Sequence, residues 1–316
     1  MTDRMHIFHG VGQGLFFEGN IRDYDTGMDF HYVYDCGSES KASYLNSEIR
    51  GLKTNTLDFL AISHLHKDHV CGLPELLKKT DVKRVYLPYF DAENYLNSFK
   101  LMLFINGIGF ETSTYRLLTN WYTYPKNQDD RIMFVRQKES LDFLHTDTFT
   151  FLNKSVSPEL FYQIEEEIRN LLLSKKCSSI EEYMKMYPDF GDLKKSYKTL
   201  FRNNQNLLSL IMVHSPVSQM CPEVVLTGDA VFDDDLNARL LCELKGQKIA
   251  LQIPHHGSNQ NWRTLSKSIK NRISVFVISC GAPNRHGHPS AIVIDDVLNE
   301  LKKELHLSYQ GKSYIL

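Results

Sequence analysis

The sequence predicts an α/β protein, and three observations carry that reading. Short apolar runs of β type recur through the first third of the chain, strand and helix alternation resumes from about residue 209, and strand after strand runs into a polar cluster. Between these regions, from about Asp91 to Gln205, the chain turns rich in Tyr, Asn and Lys and reads as mostly helical. At 316 residues the chain could hold one large domain or two ordinary ones. With no internal repeat and no low-complexity tract, the expected organisation is one domain over residues 1–316, with residues 91–205 as a mostly helical insertion within it.

The elements follow in order. Met5–Phe8, Leu15–Glu18, Phe30–Tyr34 and Leu57–Ile62 read as strands punctuated by Gly-rich or Asp/Gly turns. Pro74 suits an early position in a helix from Leu73 to Lys79, and Val82–Leu87 reads as the next strand. Inside the insertion, a strand pair is expected near Ile132–Arg136 and Thr148–Phe151. Ser157 followed by Pro158 gives a capped helix start, with apolar residues at helical spacing through Leu173. Ser209–Val213, Glu223–Leu226, Ile249–Ile253 and Ser274–Ile278 are apolar strands, and helices are expected at Asp233–Leu244 and Ala291–Glu304.

Composition narrows the function classes. With 42% hydrophobic and 23% charged residues the chain is globular in character. Its 36 Lys and Arg against 38 Asp and Glu, a net charge of -2, argue against a wholesale polyanion-binding surface and leave room for a local basic groove. Met1–Gly10 lacks a signal-peptide core, and the longest apolar run, Leu101–Phe110, is too short to span a bilayer. The six cysteines are scattered without a CxxC pair, as in reduced cytosolic thiols. The expectation is a cytoplasmic protein with no membrane partner.

The histidines carry the chemistry. Ser63-His64-Leu65-His66-Lys67-Asp68-His69 follows an apolar strand, so that His64 and His66 point the same way and the next turn returns Asp68 and His69 to the same place. Imidazoles and a carboxylate at that spacing suit a divalent ion. Thr227-Gly228-Asp229 also ends a strand, and a carboxylate there can bridge two cations. In Pro254-His255-His256-Gly257-Ser258, one His is a ligand, with His256 favoured, and the other an outer-layer or acid/base group. Asn284-Arg285-His286-Gly287-His288 offers a proton donor and contacts for anionic oxygens.

In these residues the chain resembles the metallo-β-lactamase-fold hydrolases, through His64-x-His66-x-Asp68-His69, Asp229 and the later histidines. More narrowly it is similar to the hydrolase domain of ComEC-type DNA-uptake proteins. The shared motifs are Val11-Gly-Gln-Gly14, Asp35-Cys36-Gly37, Asn206 to Ser209, Thr-Gly-Asp, Pro-His-His-Gly-Ser and Gly-His-Pro, over roughly residues 5–90 and 206–316. The resemblance implies an αββα sandwich with two divalent metal ions, zinc first and manganese second, at one edge. It implies His64, His66 and Asp229 around one metal, and Asp68, His69, Asp229 and His256 or His255 around the other. Asn206 stands where the broader family carries another His, which leaves the first site one ligand short, and His214 is expected to lie beyond the strand and not to replace it. Leu15 stands where an acidic residue commonly follows Val-Gly-Gln-Gly. Asp68, His255 and His288 are the expected catalytic groups, and Asn206, Ser258, Asn284, Arg285 and His286 the expected substrate contacts.

Two cations sharing a carboxylate generate a bridging hydroxide and stabilise a developing oxyanion, so hydrolysis is the expected reaction. The motifs, the Asn284/Arg285/His288 group and the basic pairs Lys78-Lys79 and Lys83-Arg84 favour a phosphodiesterase or nuclease on DNA or RNA. The alternatives are a small-molecule phosphodiesterase or esterase, on cyclic nucleotides or phosphocholine esters, and a regulatory or assembly protein without turnover. The insertion offers a surface for a protein partner.

Overall fold

The computed structural model describes residues 1–123, 130–154, 158–189, 191–193, 209–218, 220–282, 284 and 286–316. In chain order its strands are β1 (Thr2–Phe8), β2 (Phe16–Asp23), β3 (Met28–Cys36), β4 (Thr56–Leu57), β5 (Phe59–Ala61), β6 (Asp81–Val82), β7 (Val85–Pro88), β8 (Ile132–Val135), β9 (Lys138–Phe143) and β10 (Asp147–Leu152). They continue as β11 (Ile211–Pro216), β12 (Glu223–Leu226), β13 (Ile249–Gln252), β14 (Val275–Ser279), β15 (Glu304–Ser308) and β16 (Tyr314–Ile315). Two seven-stranded sheets result, ordered β16-β1-β2-β3-β5-β7-β8 and β15-β14-β13-β12-β11-β10-β9.

Side-chain alternation explains the layering. On β3, Phe30, Tyr32 and Tyr34 share one face and pack between the sheets against Phe59, Phe149, Phe151, Met212 and Leu226. Val33 and Cys36 join the opposite face, which is covered by α1 (Ala42–Gly51), α3 (Leu73–Lys79), α4 (Leu96–Ile105), α5 (Ser113–Thr123) and α6 (Pro158–Lys175), while α2 (Lys67–Val70) follows β5 at the rim. The second sheet is covered on its outer face by helices that include Asp234–Glu243 and Lys267–Arg272. The order helix, sheet, sheet, helix is therefore the αββα sandwich. No helix among the described residues is long and apolar enough to cross a membrane.

Five expectations need correction. The run Leu57–Ile62 breaks at Asp58, whose N–H donates to the His31 carbonyl (2.7 Å) and whose carboxylate accepts the His31 N–H (2.8 Å). β4 thereby turns away to pair with β6, and Val82–Leu87 splits in the same way. The expected strand pair within 91–205 is not a pair, since β8 joins β7 in the first sheet and β10 lies between β9 and β11 in the second. The last helix does not reach Glu304: it widens into a π turn over Asp296–Glu300 and ends by the left-handed Lys302 (φ 53°). Glu304-Leu-His-Leu-Ser308 alternates with the strand period and adds β15 to the sheet. Finally, His214 lies within β11, not beyond it.

The site follows from strand direction. β3, β5 and β7 are parallel, as are β12, β13 and β14, so the carboxyl ends within each set open on a common rim. The carboxyl end of β3 carries Asp35, and the segments after β5, β12, β13 and β14 carry His64 to His69, Asp229, His255 with His256, and His288.

Candidate metal centre

One nitrogen from each of His64 and His66 and one oxygen from Asp229 lie within 4.8 Å of one another, and the same holds for Asp68, His69 and His256. Asp229 stands between the groups, its Oδ2 at 3.5 Å from His64 Nε2 and its Oδ1 at 3.3 Å from His69 Nε2. Two ligands on a tetrahedral ion with bonds of ~2.0–2.1 Å sit roughly 3.3 Å apart, so these gaps match ligands spanning a cation.

Hydrogen bonding behind the rings fixes their tautomers. The Ser63 hydroxyl donates to Asp35 Oδ2 (2.6 Å), so its oxygen accepts the Nδ1–H of His64 (2.9 Å). His69 Nδ1–H donates to Asp35 Oδ2 (2.7 Å), His256 Nδ1–H to the Ser279 carbonyl (2.8 Å), and His255 Nδ1–H to Asn261 Oδ1 (3.0 Å). The Asn261 amide is itself fixed by donating to the carbonyls of Asp229 and Ala230. His64, His69 and His255 thus present Nε2 lone pairs to the carboxylates, and acceptors facing acceptors need a cation between them, while His256 Nε2 lies 3.0 Å from Asp68 Oδ2. Three of the converging atoms, His64 Nε2, His69 Nε2 and Asp229 Oδ1, are buried without a hydrogen-bond partner. The donor set fits two divalent ions, with nitrogen and carboxylate ligands suited to zinc or manganese.

Electrostatics show the same demand for positive charge. Burial alone would lower the pKa of His69, but Asp229, Asp68 and Asp35 outweigh it and raise the ring well above its ordinary value. Burial disfavours the charged form of Asp229, yet His255, His69 and His64 hold it well below the usual carboxylate range. His64, buried and beside His69, is pushed well below the ordinary imidazole value.

Backbone conformation supports the convergence. Gly228 adopts φ +52°, and a Cβ there would meet Ser63 Cβ at 2.5 Å, so only glycine lets β12 deliver Asp229 beside the His64 loop. Asp35, His255 and His256 are also left-handed, at φ 58°, 51° and 52°. Each costs roughly 1–2 kcal/mol, and the second pair turns two adjacent imidazoles toward the carboxylates from one short loop.

The remaining expected contacts divide. His255 is one-third exposed, with Nε2 at 3.6 Å from Asp229 Oδ2, and His288 stacks edge-on to it at 5.3 Å between ring centroids. Burial and then His255 and His256 push the His288 pKa down to about 4, so this ring is neutral. Asn284 uses its amide within its own loop: it donates to the carbonyls of Gly281 and His288 and accepts from the N–H groups of His286 and His288. Ser258 is buried at the start of the helix Asn259–Thr264, and His286 pairs with Glu39 at 2.8 Å. Asn206 and Arg285 lie outside the described residues. His214 is bound to Asp147, His6 and Tyr32, away from the centre. Sequence reasoning quoted Asp35 only as part of a motif and missed its part in aligning His69 and Ser63; Asn261 and Ser279 carried no signal in their neighbours.

Residues 24–100 match the Metallo-beta-lactamase superfamily. Two curated relatives are similar to this chain, both named Ribonuclease Z. The protein from Methanococcus maripaludis is 27% identical over 35% of this chain and 34% of its own length, so the match spans about a third of that relative. The protein from Methanococcus aeolicus is 21% identical over 79% of this chain and 72% of its own. Among solved structures, the metallo-beta-lactamase fold protein YhfI from Bacillus subtilis is 11% identical, with 99% of this chain and 100% of that one covered, at a TM-score of 0.49.

Proposed function

We propose that this metallo-β-lactamase domain is a two-metal phosphodiesterase acting on nucleic acid. The observation that carries the reading is Asp229, whose two oxygens face two separate groups of imidazole lone pairs. The name shared by the two relatives, Ribonuclease Z, and the ComEC-like motifs support a phosphodiester of DNA or RNA over other hydrolysable bonds.

Divalent cations held by His64, His66, Asp229, Asp68, His69 and His256 would polarise a phosphoryl oxygen and lower the pKa of a bound water. Asp68 is 14% exposed where Asp229 is 1%, so it is the carboxylate that reaches the open side and can take a proton from the attacking water. His255, held by Asn261, faces Asp229 from the mouth of the site and stands at the corner the first group leaves open. His288, neutral, offers an N–H to an anionic oxygen of the substrate without adding a second buried charge.

The test pairs elemental analysis with hydrolysis of single- and double-stranded nucleic acid and of bis(p-nitrophenyl) phosphate. Two metal equivalents in the wild type, fewer in His66→Ala, and cleavage lost in Asp68→Ala are expected. Metal-replete protein that leaves every diester intact and behaves like Asp68→Ala would sink the reading in favour of a silent scaffold. Hydrolysis of mononucleotide diesters without any of polymer would replace it with the small-molecule enzyme.

A further inference from the structure

Next to the metal centre, and outside its ligand set, lies a cleft of about 790 Å³. We propose that this cleft binds the base of an unpaired nucleotide flanking the scissile phosphate. The inference rests on the phosphodiesterase reading and names the part of the substrate that would be recognised.

The cleft is built by parts of the chain far apart in sequence. Its walls include Gln13, Ser40, Lys41, Tyr44, His286 and Gln310. Gln13 is 5% exposed, and its Oε1 accepts the Gly281 N–H (3.1 Å), which turns the amide NH2 the other way. Ser40 Oγ accepts from the Gln13 N–H (3.0 Å) and from Gln310 Nε2 (3.4 Å), so its own proton is left to donate. Gln310 in turn accepts the Ala282 N–H (2.9 Å) and ties two walls together. The cleft therefore presents hydrogen-bond donors from a fixed floor, with the Glu39 carboxylate on its wall engaged by His286 (2.8 Å), beside Tyr44 in the first turn of α1, 37% exposed.

That chemistry selects among ligands. Carbonyl oxygens and ring nitrogens of a nucleobase are acceptors on a flat apolar plate, which match donors beside one exposed aromatic ring. A quaternary ammonium offers no acceptor and is held by a cage of Trp, Tyr or Phe rings, whereas Tyr44 is the one such ring among the described lining residues. Lys41 supplies a cation for a neighbouring phosphate.

Placement fits one nucleotide from the reacting bond. His286 on the cleft wall stacks on His288 at 6.5 Å, and His288 meets His255 at 5.3 Å. On the floor, Gly14 follows Gln13 and its carbonyl accepts the Ser279 hydroxyl (2.8 Å), the residue whose carbonyl holds His256. A ligand with its phosphate at the cations and its base in the cleft lies along this path.

Equilibrium binding to the zinc-loaded protein tests the inference, with 5′-AMP, 3′-AMP, adenosine, ribose 5-phosphate and phosphocholine as probes. At least one AMP isomer should bind about tenfold or more tightly than ribose 5-phosphate. Tyr44→Ala should remove roughly 5- to 100-fold of the affinity for AMP and for adenosine, while Tyr44→Phe retains it. Equal binding of AMP and ribose 5-phosphate, phosphocholine binding as tightly as AMP, or an unaltered Tyr44→Ala would each overturn the cleft assignment. Adenosine carries no phosphate, so its Tyr44-dependent binding by a protein that cleaves no diester would overturn the phosphodiesterase reading and leave the cleft standing. Diester cleavage without base-dependent binding would do the reverse.

Discussion

Two buried clusters of histidine and aspartate stand out among the described residues of this sandwich, and one of the two is a candidate for chemistry. At the metal centre the rings are fixed from behind, and His64 Nε2, His69 Nε2 and Asp229 Oδ1 are left buried without hydrogen-bond partners. In the other cluster, between the sheets, Asp147 accepts from Arg4 Nε (2.7 Å), Arg4 Nη2 (2.8 Å) and His214 Nε2–H (2.8 Å). His214 Nδ1 then lies 3.1 Å from both His6 Nε2 and the Tyr32 hydroxyl, either of which can donate to it. There the donors and acceptors close on one another; at the rim they close only around something added. Burial and residue type are shared, so it is the unmet hydrogen-bonding capacity that separates a site from a clamp.

The sharpest way to break that contrast is to remove its central atom set. Asp229→Ala should lower bound metal and reduce diester hydrolysis by about a thousandfold, with little loss of folded structure; elemental analysis, kinetics and circular dichroism read the three quantities. Asp147→Asn should do the opposite. It leaves the Arg4 guanidinium, 4% exposed, without its carboxylate, and is expected to cost about 3–5 kcal/mol in urea unfolding while metal content stays unchanged. Loss of metal in Asp147→Asn, or global unfolding in Asp229→Ala, would show that the two clusters are not separable.

Asp35→Asn is a smaller perturbation from behind the site. It weakens the acceptor shared by Ser63 and His69, and a chelator competition should show metal affinity reduced about 10- to 100-fold. An unchanged affinity would mean that Asp35 serves the loop and not the ligand.

The smallest effect is a pH slope. Burial, then His214, pushes the His6 pKa well below its ordinary value, and burial likewise lowers His214. Folded, both rings stay neutral; unfolded, they take up protons near pH ~6.5. The unfolded chain thus binds more protons below that point, and stability falls as pH drops through it, by at most about 1.4 kcal/mol per pH unit for each ring. Unfolding midpoints from pH 7 to 5 should show this slope, reduced in His6→Phe; an equal slope in both proteins would assign the acid sensitivity elsewhere.

What could be read from sequence follows the range of each interaction. His64, His66, Asp68 and His69 sit within six residues, so their spacing alone exposes a ligand set, and Gly228-Asp229 gains meaning beside it. Asp35 acts on His69 across 34 positions, and Tyr44 faces Gln310 and Gln13 only because three loops meet, so neither carries a local signature. The strand Glu304–Ser308 was hidden by the apolar helical run before it, although its alternation is plain once β14 needs a neighbour. Asn284 reads from its polarity as a substrate contact, and what its neighbours in sequence do not announce is that its bonds fasten a loop.

The succession β8 to β10 has a consequence for anyone who would shorten this protein. β8 is the border of one sheet and β9 the border of the other, with two residues between them, so this stretch works as a hem that sews the far sides of the sandwich together. Helical pockets of chain hang on either side of the seam, α4 and α5 before it and α6 after it. Cutting out residues 91–205 as a single patch would unpick the seam and bare the backbones of β7 and β11, an invitation to strand-to-strand aggregation. Trimming must instead be done in two snips that leave the stitch in place.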